Sequence, residues 1–200
     1  ILCLYMQGII VIELNHKKAP IEIREVISTN ADQIQHDLER LKEELPEIFI
    51  ISTCNRFSVY CYCESEIPIL KIFQSYCNVL TSQHLTILYN EAAVHHFFST
   101  TAGLESQTIG EHEILGQVRN TFAKSNDNKT TGPILNELVN KAIHAGKRVR
   151  TETLIGRYAV SYAAITCNRI KSVFNDVSSI SVLVYGTGEM AEIILKMLNK

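Results

Sequence analysis

Short apolar runs of strand length alternate with helical patterns along the first hundred residues, and this alternation limits the possible folds most. Residues 9–14 and 48–51 are β-branched or otherwise apolar runs, typical of buried strands. Residues 57–64 alternate, with Phe57, Val59, Cys61 and Cys63 on one face. Residues 85–89 offer a further strand. The order of these segments predicts a sheet interleaved with helices.

Helical spacing of apolar side chains predicts the connecting elements. Residues 34–45 form one such pattern, which follows N-cap candidates at 28–30 and stops at Pro46. Further helices are expected over 69–80, from 91, over 134–150 and over 160–174, with a polar loop at 125–132. Residues 180–185 predict another buried strand. The expected fold class is α+β, with a mainly antiparallel sheet that resembles ferredoxin-like folds.

Composition narrows the class of protein. Hydrophobic residues make up 46% and charged residues 20% of the 200 residues, and the formal net charge is -2. Such a charge gives no global attraction to nucleic acid, so any RNA binding must use a local basic face. The apolar run at residues 1–12 is too short to cross a bilayer and has no basic residues before it. We therefore expect a cytoplasmic protein that starts at Met6.

The six cysteines are interpreted as thiols, because a reducing cytosol disfavours disulfides. Cys61 and Cys63 lie on the apolar face of the alternating strand, and Cys77 and Cys167 lie on apolar helix faces. Two cysteines at CxC spacing, without a second pair nearby, do not predict a zinc site, and no metal is expected.

Cys54 differs from the other cysteines because it lies in a polar connection, residues 52–56, between two apolar strands. Side chains in such connections face solvent or ligand. Arg56 is close enough in sequence to stabilise a thiolate, the nucleophilic form of cysteine. Spacing alone leaves two interpretations open, a reactive thiol and an incidental loop cysteine.

Four segments in order resemble the glutamyl-tRNA reductase family. Residues 52–56 read Ser-Thr-Cys-Asn-Arg, which is similar to the family's STCNR motif. Residues 14–20 resemble its NHKTAP-like turn. Residues 103–118 resemble its GLDS, GE and ILGQV stretch, and residues 147–161 its KRVRTET, IG and AVS stretch.

The resemblance implies a chemistry in which Cys54 attacks the ester carbonyl of glutamyl-tRNA and forms a thioester. Hydride from NADPH then gives glutamate-1-semialdehyde, an intermediate of tetrapyrrole (porphyrin) synthesis. His96 matches the active-site histidine, which either orients the carbonyl or gives a proton to the departing ribose oxygen. Arg56 is the expected partner of the substrate carboxylate. The positions implied to hold the glutamyl group are Thr53, Asn55, Arg56, Ser106, Glu111, His112, Glu113 and Gln117.

A GxGxxA pattern follows the predicted strand at 180–185 and precedes an apolar helical segment. This is the context of a Rossmann dinucleotide fingerprint, although a tight strand-to-helix turn is the alternative. The predicted cofactor-binding residues are Gly186, Thr187, Gly188, Glu189, Met190 and Ala191. We therefore expect a catalytic domain at 6–155 and, at 156–200, a linking helix and the start of an NADP-binding domain.

Further expectations rest on the resemblance alone. They are glutamyl-tRNA as substrate, transfer of the aldehyde to glutamate-1-semialdehyde aminomutase, and a homodimer formed through a C-terminal domain that this chain lacks. This chain should therefore lack full reductase activity.

The sequence also departs from the family pattern at Ser99, Glu105, His112 and Glu113, all near the expected substrate site. Two alternatives stay open: a thioester-hydrolysing esterase, and a non-catalytic module that binds tRNA or protein. The basic helical segment at 141–150 is read equally well as a tRNA phosphate contact and as a solvated helix face.

Overall fold

A four-stranded antiparallel sheet organises the chain, for which the computed structural model describes residues 7–53, 55–111, 113–155, 162–174 and 177–199. Its strands are β1 (Gly8–Asn15), β2 (Glu47–Ser52), β3 (Arg56–Cys63) and β4 (Leu85–Tyr89). The spatial order is β2-β3-β1-β4, and each neighbouring pair is antiparallel. This is the order of a ferredoxin-like βαββαβ unit. The predicted α+β class with an antiparallel sheet is confirmed.

Three helices cover the first face of the sheet: α1 (Ile21–Thr29), α2 (Ala31–Glu39) and α3 (Ile67–Tyr76). The core beneath them takes alternate residues from each strand, because successive side chains of a strand point to opposite faces. Ile12, Val59 and Phe73 are fully buried there, and Phe57 meets Phe73 edge to face with ring centroids 5.6 Å apart. The buried cysteines Cys61, Cys63 and Cys77 belong to this core as free thiols.

Three further helices cover the opposite face: α4 (Asn90–Ala102), α5 (Glu113–Asp127) and α6 (Pro133–Glu152). Phe49 and Phe97 pack edge to face at 5.7 Å and anchor a second apolar core. At the start of α6, Pro133 stands in the first turn, where it loses no hydrogen bond. The Glu47 carboxylate accepts hydrogen bonds from the backbone N–H groups of Ile134 and Leu135. A buried acid thus caps the positive end of this helix.

Several predicted boundaries are wrong. The pattern missed α1, which ends at Thr29, and α2 stops at Glu39; of the N-cap candidates at 28–30, Asn30 is the N-cap of α2. Leu41 and Leu45 lie in the turns that follow, although Leu45 is buried in the first core. The predicted loop at 125–132 is shorter than expected, because α5 continues to Asp127. The spacing of apolar residues indicates which side chains are buried. It does not separate a residue within a helix from one in the turn that follows it.

The predicted buried strand at 180–185 is also wrong for the part of the chain that is described. Residues 180–187 form no strand, and the side chains of Leu183 and Tyr185 are 92% and 102% exposed. A strand exists only through hydrogen bonds to a neighbour, and none of the described residues pairs with this segment. The helices around it are formed: α7 (Tyr162–Val173) packs against α8 (Glu189–Leu198). No helix in the described ranges is both long and apolar enough to cross a membrane.

Candidate active site

The connection between β2 and β3, which carries the predicted nucleophile, is fixed by its own backbone. The N–H of Thr53 donates to the carbonyl of Arg56 at 2.9 Å, and the Thr53 hydroxyl accepts from the N–H groups of Asn55 and Arg56. Cys54 itself lies outside the described residues. Thr53 and Asn55, the two neighbours of Cys54, therefore belong to a tight turn. Thr53 stabilises this turn, in addition to its predicted contact with substrate.

The turn after β1 lies against the same connection. The backbone N–H of His16 donates to the carbonyl of Asn55 at 3.2 Å. The pKa of His16 is lowered by burial and by the positive charges of Arg56, Lys17 and Arg24. These cations lie near the turn at residues 53–56, together with the carboxylates of Glu13 and Glu105, which pair with Arg56 and Lys17.

Arg56 links this connection to α4 and to the segment after it. Its side chain is buried, with Nη1 3.0 Å from Thr100 Oγ1 and 3.4 Å from Glu13 Oε2, and Nη2 donates to the carbonyl of Glu105. The guanidinium predicted to bind the substrate carboxylate therefore already has protein partners on both terminal nitrogens. Its substrate contact stays a prediction.

Glu13 is the buried charge at this site that the sequence interpretation missed. It is a carboxylate in the middle of the apolar strand β1, 1% exposed, and that charge within an apolar run was the available signal. Its Oε1 accepts from Asn15 Nδ2 and lies 3.4 Å from His96 Nε2. Its Oε2 accepts from Ser58 Oγ and from Arg56. Cross-strand pairing explains this grouping, since Glu13 stands opposite Ser58 and Asn15 opposite Arg56.

The charge of Glu13 is maintained despite its burial. Burial alone would raise the pKa of this carboxyl, but the hydrogen bond from His96, the charge of Arg56 and the Ser58 hydroxyl together lower it to about 2. Glu13 is therefore an anion at neutral pH. A buried anion of this kind is stable only while its partners are in place.

His96 lies between Glu13 and Tyr60. Its Nδ1 is 2.9 Å from the Tyr60 hydroxyl, and its Nε2 faces the Glu13 carboxylate. Burial and the nearby charge of Glu13 raise the pKa of Tyr60 far above its usual value, so the phenol keeps its proton. His96 is buried, and its predicted role in the active site stays a prediction.

His96 also lines an open cleft of about 640 Å³ beside this cluster. Glu105 closes one side and forms an ion pair with Lys17, which ties the turn after β1 to the segment after α4. The cleft is lined by Leu88, Glu91, Ala92, His95, His96 and Glu105. His95 is exposed there, and three or more potential metal ligands come together nowhere in the described residues.

The segment between α4 and α5 is shaped by two glycines. Gly103 has φ 85° and ends α4, with hydrogen bonds from the N–H groups of Gly103 and Leu104 to the carbonyls of Thr100 and Ser99. Gly110 has φ 82°, and a Cβ there would lie 2.7 Å from the carbonyl oxygen of Ile155. Only glycine suits both positions.

The predicted substrate residues of this segment are placed in different ways. Ser106 is buried, and its Oγ has no hydrogen-bond partner among the described residues. The carbonyl of Glu111 accepts from Arg150 Nη2, so α6 holds the main chain at this position. Glu113 and Gln117 are exposed at the start of α5, and His112 lies outside the described residues. Their substrate contacts stay predictions.

The predicted cofactor segment is only partly formed. Gly188 is the N-cap of α8, and Gly186 has φ 132°, which suits a turn before a helix. A helix N-terminus can receive a phosphate, but the preceding strand is absent, and a Cβ at Gly186 or Gly188 would meet no atom within 4 Å. Residues 186–191 have no described contact with the Glu13 and Arg56 cluster. The described residues therefore do not complete a dinucleotide cradle.

The basic segment of α6 is largely occupied within the chain. Lys141 pairs with Glu137 at 2.7 Å, and Arg148 pairs with Glu152 at 2.8 Å, each one helical turn apart. Arg150 turns inward to the carbonyls of Thr101 and Glu111. The exposed pairs are weak and leave both interpretations of the segment, a solvated helix face and a tRNA phosphate contact, as predictions.

Comparison with known proteins decides the family. The profile of the domain family described as "Glutamyl-tRNAGlu reductase, N-terminal domain" matches residues 12–153, which include the connection at 52–56, Glu13 and His96. The chain belongs to this family. It is 38% identical to the glutamyl-tRNA reductase of Thermodesulfovibrio yellowstonii and 37% identical to that of Bacillus subtilis, each over 96% of this chain.

A solved structure of this family has the same fold. The glutamyl-tRNA reductase from Methanopyrus kandleri aligns with a TM-score of 0.66 at 26% identity, over 97% of this chain and 47% of that one. The chain spans 48% and 44% of the two relatives by sequence, about half their length. The family profile therefore describes the N-terminal domain, and the alignments with the relatives extend into the segment after it.

Proposed function

We propose that this chain is the thiol-acylating, substrate-binding part of an NADPH-dependent glutamyl-tRNA reductase. The observation that carries the proposal is the site built around Arg56. This buried residue joins the Ser-Thr-Cys-Asn-Arg connection to α4, which carries His96, and to the Glu105 carbonyl at the cleft. The names of the relatives supply the substrate class, glutamyl-tRNA.

The proposed first step is transfer of the glutamyl group to Cys54. The Cys54 thiolate attacks the ester carbonyl, a C–S bond forms, and the C–O bond to the tRNA ribose breaks. The ribose oxygen leaves with the bonding electrons and takes up a proton. His96, which lines the cleft, is the proposed donor of that proton or the group that orients the carbonyl. The cations Arg24, Lys17 and Arg56 favour the thiolate and the anionic glutamyl group.

The later reduction belongs to the complete protein in this proposal. NADPH, when bound, supplies the hydride that converts the thioester to glutamate-1-semialdehyde, in tetrapyrrole synthesis. Residues 186–191 are the proposed start of its binding site, and the proposed domain division lies near residue 155. Cytoplasmic location, dimerisation through a C-terminal domain and transfer of the aldehyde to an aminomutase are further proposals. This chain alone should show little reductase activity, because its dinucleotide cradle is incomplete.

Intact-protein mass spectrometry tests the proposal. The chain is mixed with glutamyl-tRNA and the reaction is stopped in acid, which preserves a thioester. We expect a glutamyl adduct that is absent from Cys54→Ser and retained in Cys77→Ser, because Cys77 is a buried core thiol. An adduct that survives Cys54→Ser would refute the assignment. Adduct that forms and then decays without NADPH would instead support the esterase alternative. No adduct in this chain and none in a full-length version would favour a binding module.

A further inference from the structure

We propose that Glu13 is a positioning residue that holds His96 in one tautomer and fixes Arg56 beside it. The expected effect on the reaction rests on the proposed function. The placement of His96 and Arg56 rests on the geometry alone. The two residues that Glu13 joins come from different elements, Arg56 from β3 and His96 from α4, while Glu13 lies on β1 between them. A single buried carboxylate therefore sets their relative placement.

The polar contacts around Glu13 form a chain that runs from Thr100 to Tyr60. At one end Arg56 Nη1 donates to Thr100 Oγ1, and at the other the Tyr60 hydroxyl lies 2.9 Å from His96 Nδ1. His96 Nε2 faces Glu13 Oε1, and Glu13 Oε2 receives Arg56 Nη1 again. Such a buried chain has few alternative arrangements, because a group that turns away leaves its buried partners unsatisfied.

The two neighbours of His96 in this chain assign its proton. The Tyr60 phenol is protonated and donates, so Nδ1 of a neutral imidazole is the acceptor. The remaining N–H is then on Nε2, directed at the Glu13 carboxylate. At 3.4 Å this last contact is longer than an ordinary hydrogen bond, so the Nε2 proton is oriented by Glu13 but remains available to an oxygen atom in the cleft.

A carboxylate suits this position better than an amide would. All its acceptor sites are used, because each oxygen receives two donors, from Asn15, His96, Arg56 and Ser58. A glutamine has one acceptor oxygen and would turn an NH₂ group toward one pair of these donors. It also removes the negative charge that balances Arg56. Glu13→Gln therefore keeps the volume while it breaks the chain of contacts on one side of this residue.

The tautomer is measured first, independently of any reaction. Long-range ¹⁵N–¹H NMR correlations of His96, recorded where the imidazole is neutral, should show Nε2 protonated and Nδ1 unprotonated in the wild-type chain. In Glu13→Gln this preference should weaken. A wild-type imidazole protonated on Nδ1 would overturn the assignment, whether or not the Glu13→Gln variant folds.

The catalytic part is measured as single-turnover glutamylation of Cys54. At saturating glutamyl-tRNA we expect Glu13→Gln to slow the step by about 10- to 100-fold, the scale of a misplaced catalytic group, while the half-saturating concentration changes less than about 3-fold. Glu47→Gln is the matched control, because Glu47 is a second buried carboxylate of the sheet that caps α6. It should leave the rate unchanged.

Ser58→Ala separates positioning from general weakening. It removes one hydrogen bond to Glu13 without touching His96 or Arg56, so the rate should fall by less than about 3-fold. An equal loss of rate in all three variants would show that Glu13 acts only through stability. A wild-type chain that does not acylate would count against the proposed function, while the NMR result would still decide the tautomer.

Discussion

The two faces of the sheet are buried to a similar degree but are built from different side chains. On the face covered by α1, α2 and α3, strands β1, β2 and β3 contribute apolar residues and the thiols of Cys61 and Cys63. On the face covered by α4, α5 and α6, the same strands contribute every charged or amide side chain that they bury, in addition to an apolar core. The buried charged and amide side chains are those of Glu13, Asn15, Glu47 and Arg56, and the hydroxyl of Ser58 is buried on the same face.

This difference separates two tasks within one sheet. An apolar face stabilises the fold without directional demands, since burial depends mainly on area. A buried polar face costs free energy unless every group is paired, so its geometry is narrowly defined. Glu13, Asn15, Arg56 and Ser58 lie at the end of the sheet that carries the connection at 52–56, whereas Glu47 lies at the far end, opposite Tyr62. The face whose buried polar groups all need hydrogen-bond partners is also the face that carries the candidate active site.

The largest expected effect comes from breaking the charge pair on the polar face. Arg56→Met leaves the Glu13 anion buried without its main counter-charge, so the free energy of unfolding should fall by about 3–5 kcal/mol. Denaturant unfolding measures it. The exposed Arg148→Met, which loses only its pair with Glu152, should change stability by less than about 1 kcal/mol. Similar losses in both variants would contradict a special role for the buried pair.

Acid should weaken the polar face selectively. The pKa of Glu13 is lowered from 4.5 in the unfolded chain to about 2 in the fold. The unfolded state therefore binds the proton first as pH falls, and the stability from this group, present above pH 4.5, is lost progressively toward pH 2. The loss corresponds to about 3 kcal/mol.

Unfolding curves between pH 7 and pH 2 test this dependence. The wild type should lose more stability over that range than Glu13→Gln, which has no carboxyl at this position to protonate. Glu22→Gln, at an exposed glutamate of α1, should follow the wild type. Parallel curves for wild type and Glu13→Gln would show that the charge of Glu13 is not coupled to folding.

A smaller effect sharpens the comparison within the polar face itself. Glu47→Gln weakens the cap of α6 but retains an oxygen that can accept one of the two N–H groups, so stability should fall by about 1 kcal/mol. Calorimetric melting of the chain measures the change. A loss of stability comparable with that of Arg56→Met would mean that each buried charge on this face contributes equally to the free energy of unfolding, whatever its distance from the site.

Much of the fold follows from local patterns. The strands at 9–14, 48–51, 57–64 and 85–89 were predicted within a few residues, because β-branched and alternating apolar segments report burial directly. The prediction of a strand at 180–185 used the same signal and was wrong. Its sequence carries the signal of burial, yet a strand forms only where a partner supplies hydrogen bonds, and sequence spacing does not contain that information.

The candidate site could be predicted only in part. The resemblance drew attention to Cys54, Arg56 and His96, because they lie in recognisable motifs. Glu13 was missed because its significance depends on register: it matters only once β1 pairs with β3 and α4 lies over both. Likewise, nothing in the sequence shows that Arg56 is already bound to Glu13 and Thr100. Long-range pairing creates these sites, and a single sequence does not reveal it.

Neighbouring residues of β1 allow the most direct test of the division between the faces. Ile12 lies in the apolar core of one face and Glu13 in the polar cluster of the other. The measurement is the single-turnover glutamylation rate of Cys54 in Ile12→Val and Glu13→Gln, with the unfolding free energy of each. Ile12→Val should lose about 0.5–1.5 kcal/mol of stability at an unchanged rate. Glu13→Gln should lose about 10- to 100-fold in rate. Equal rates in the two variants would contradict the account.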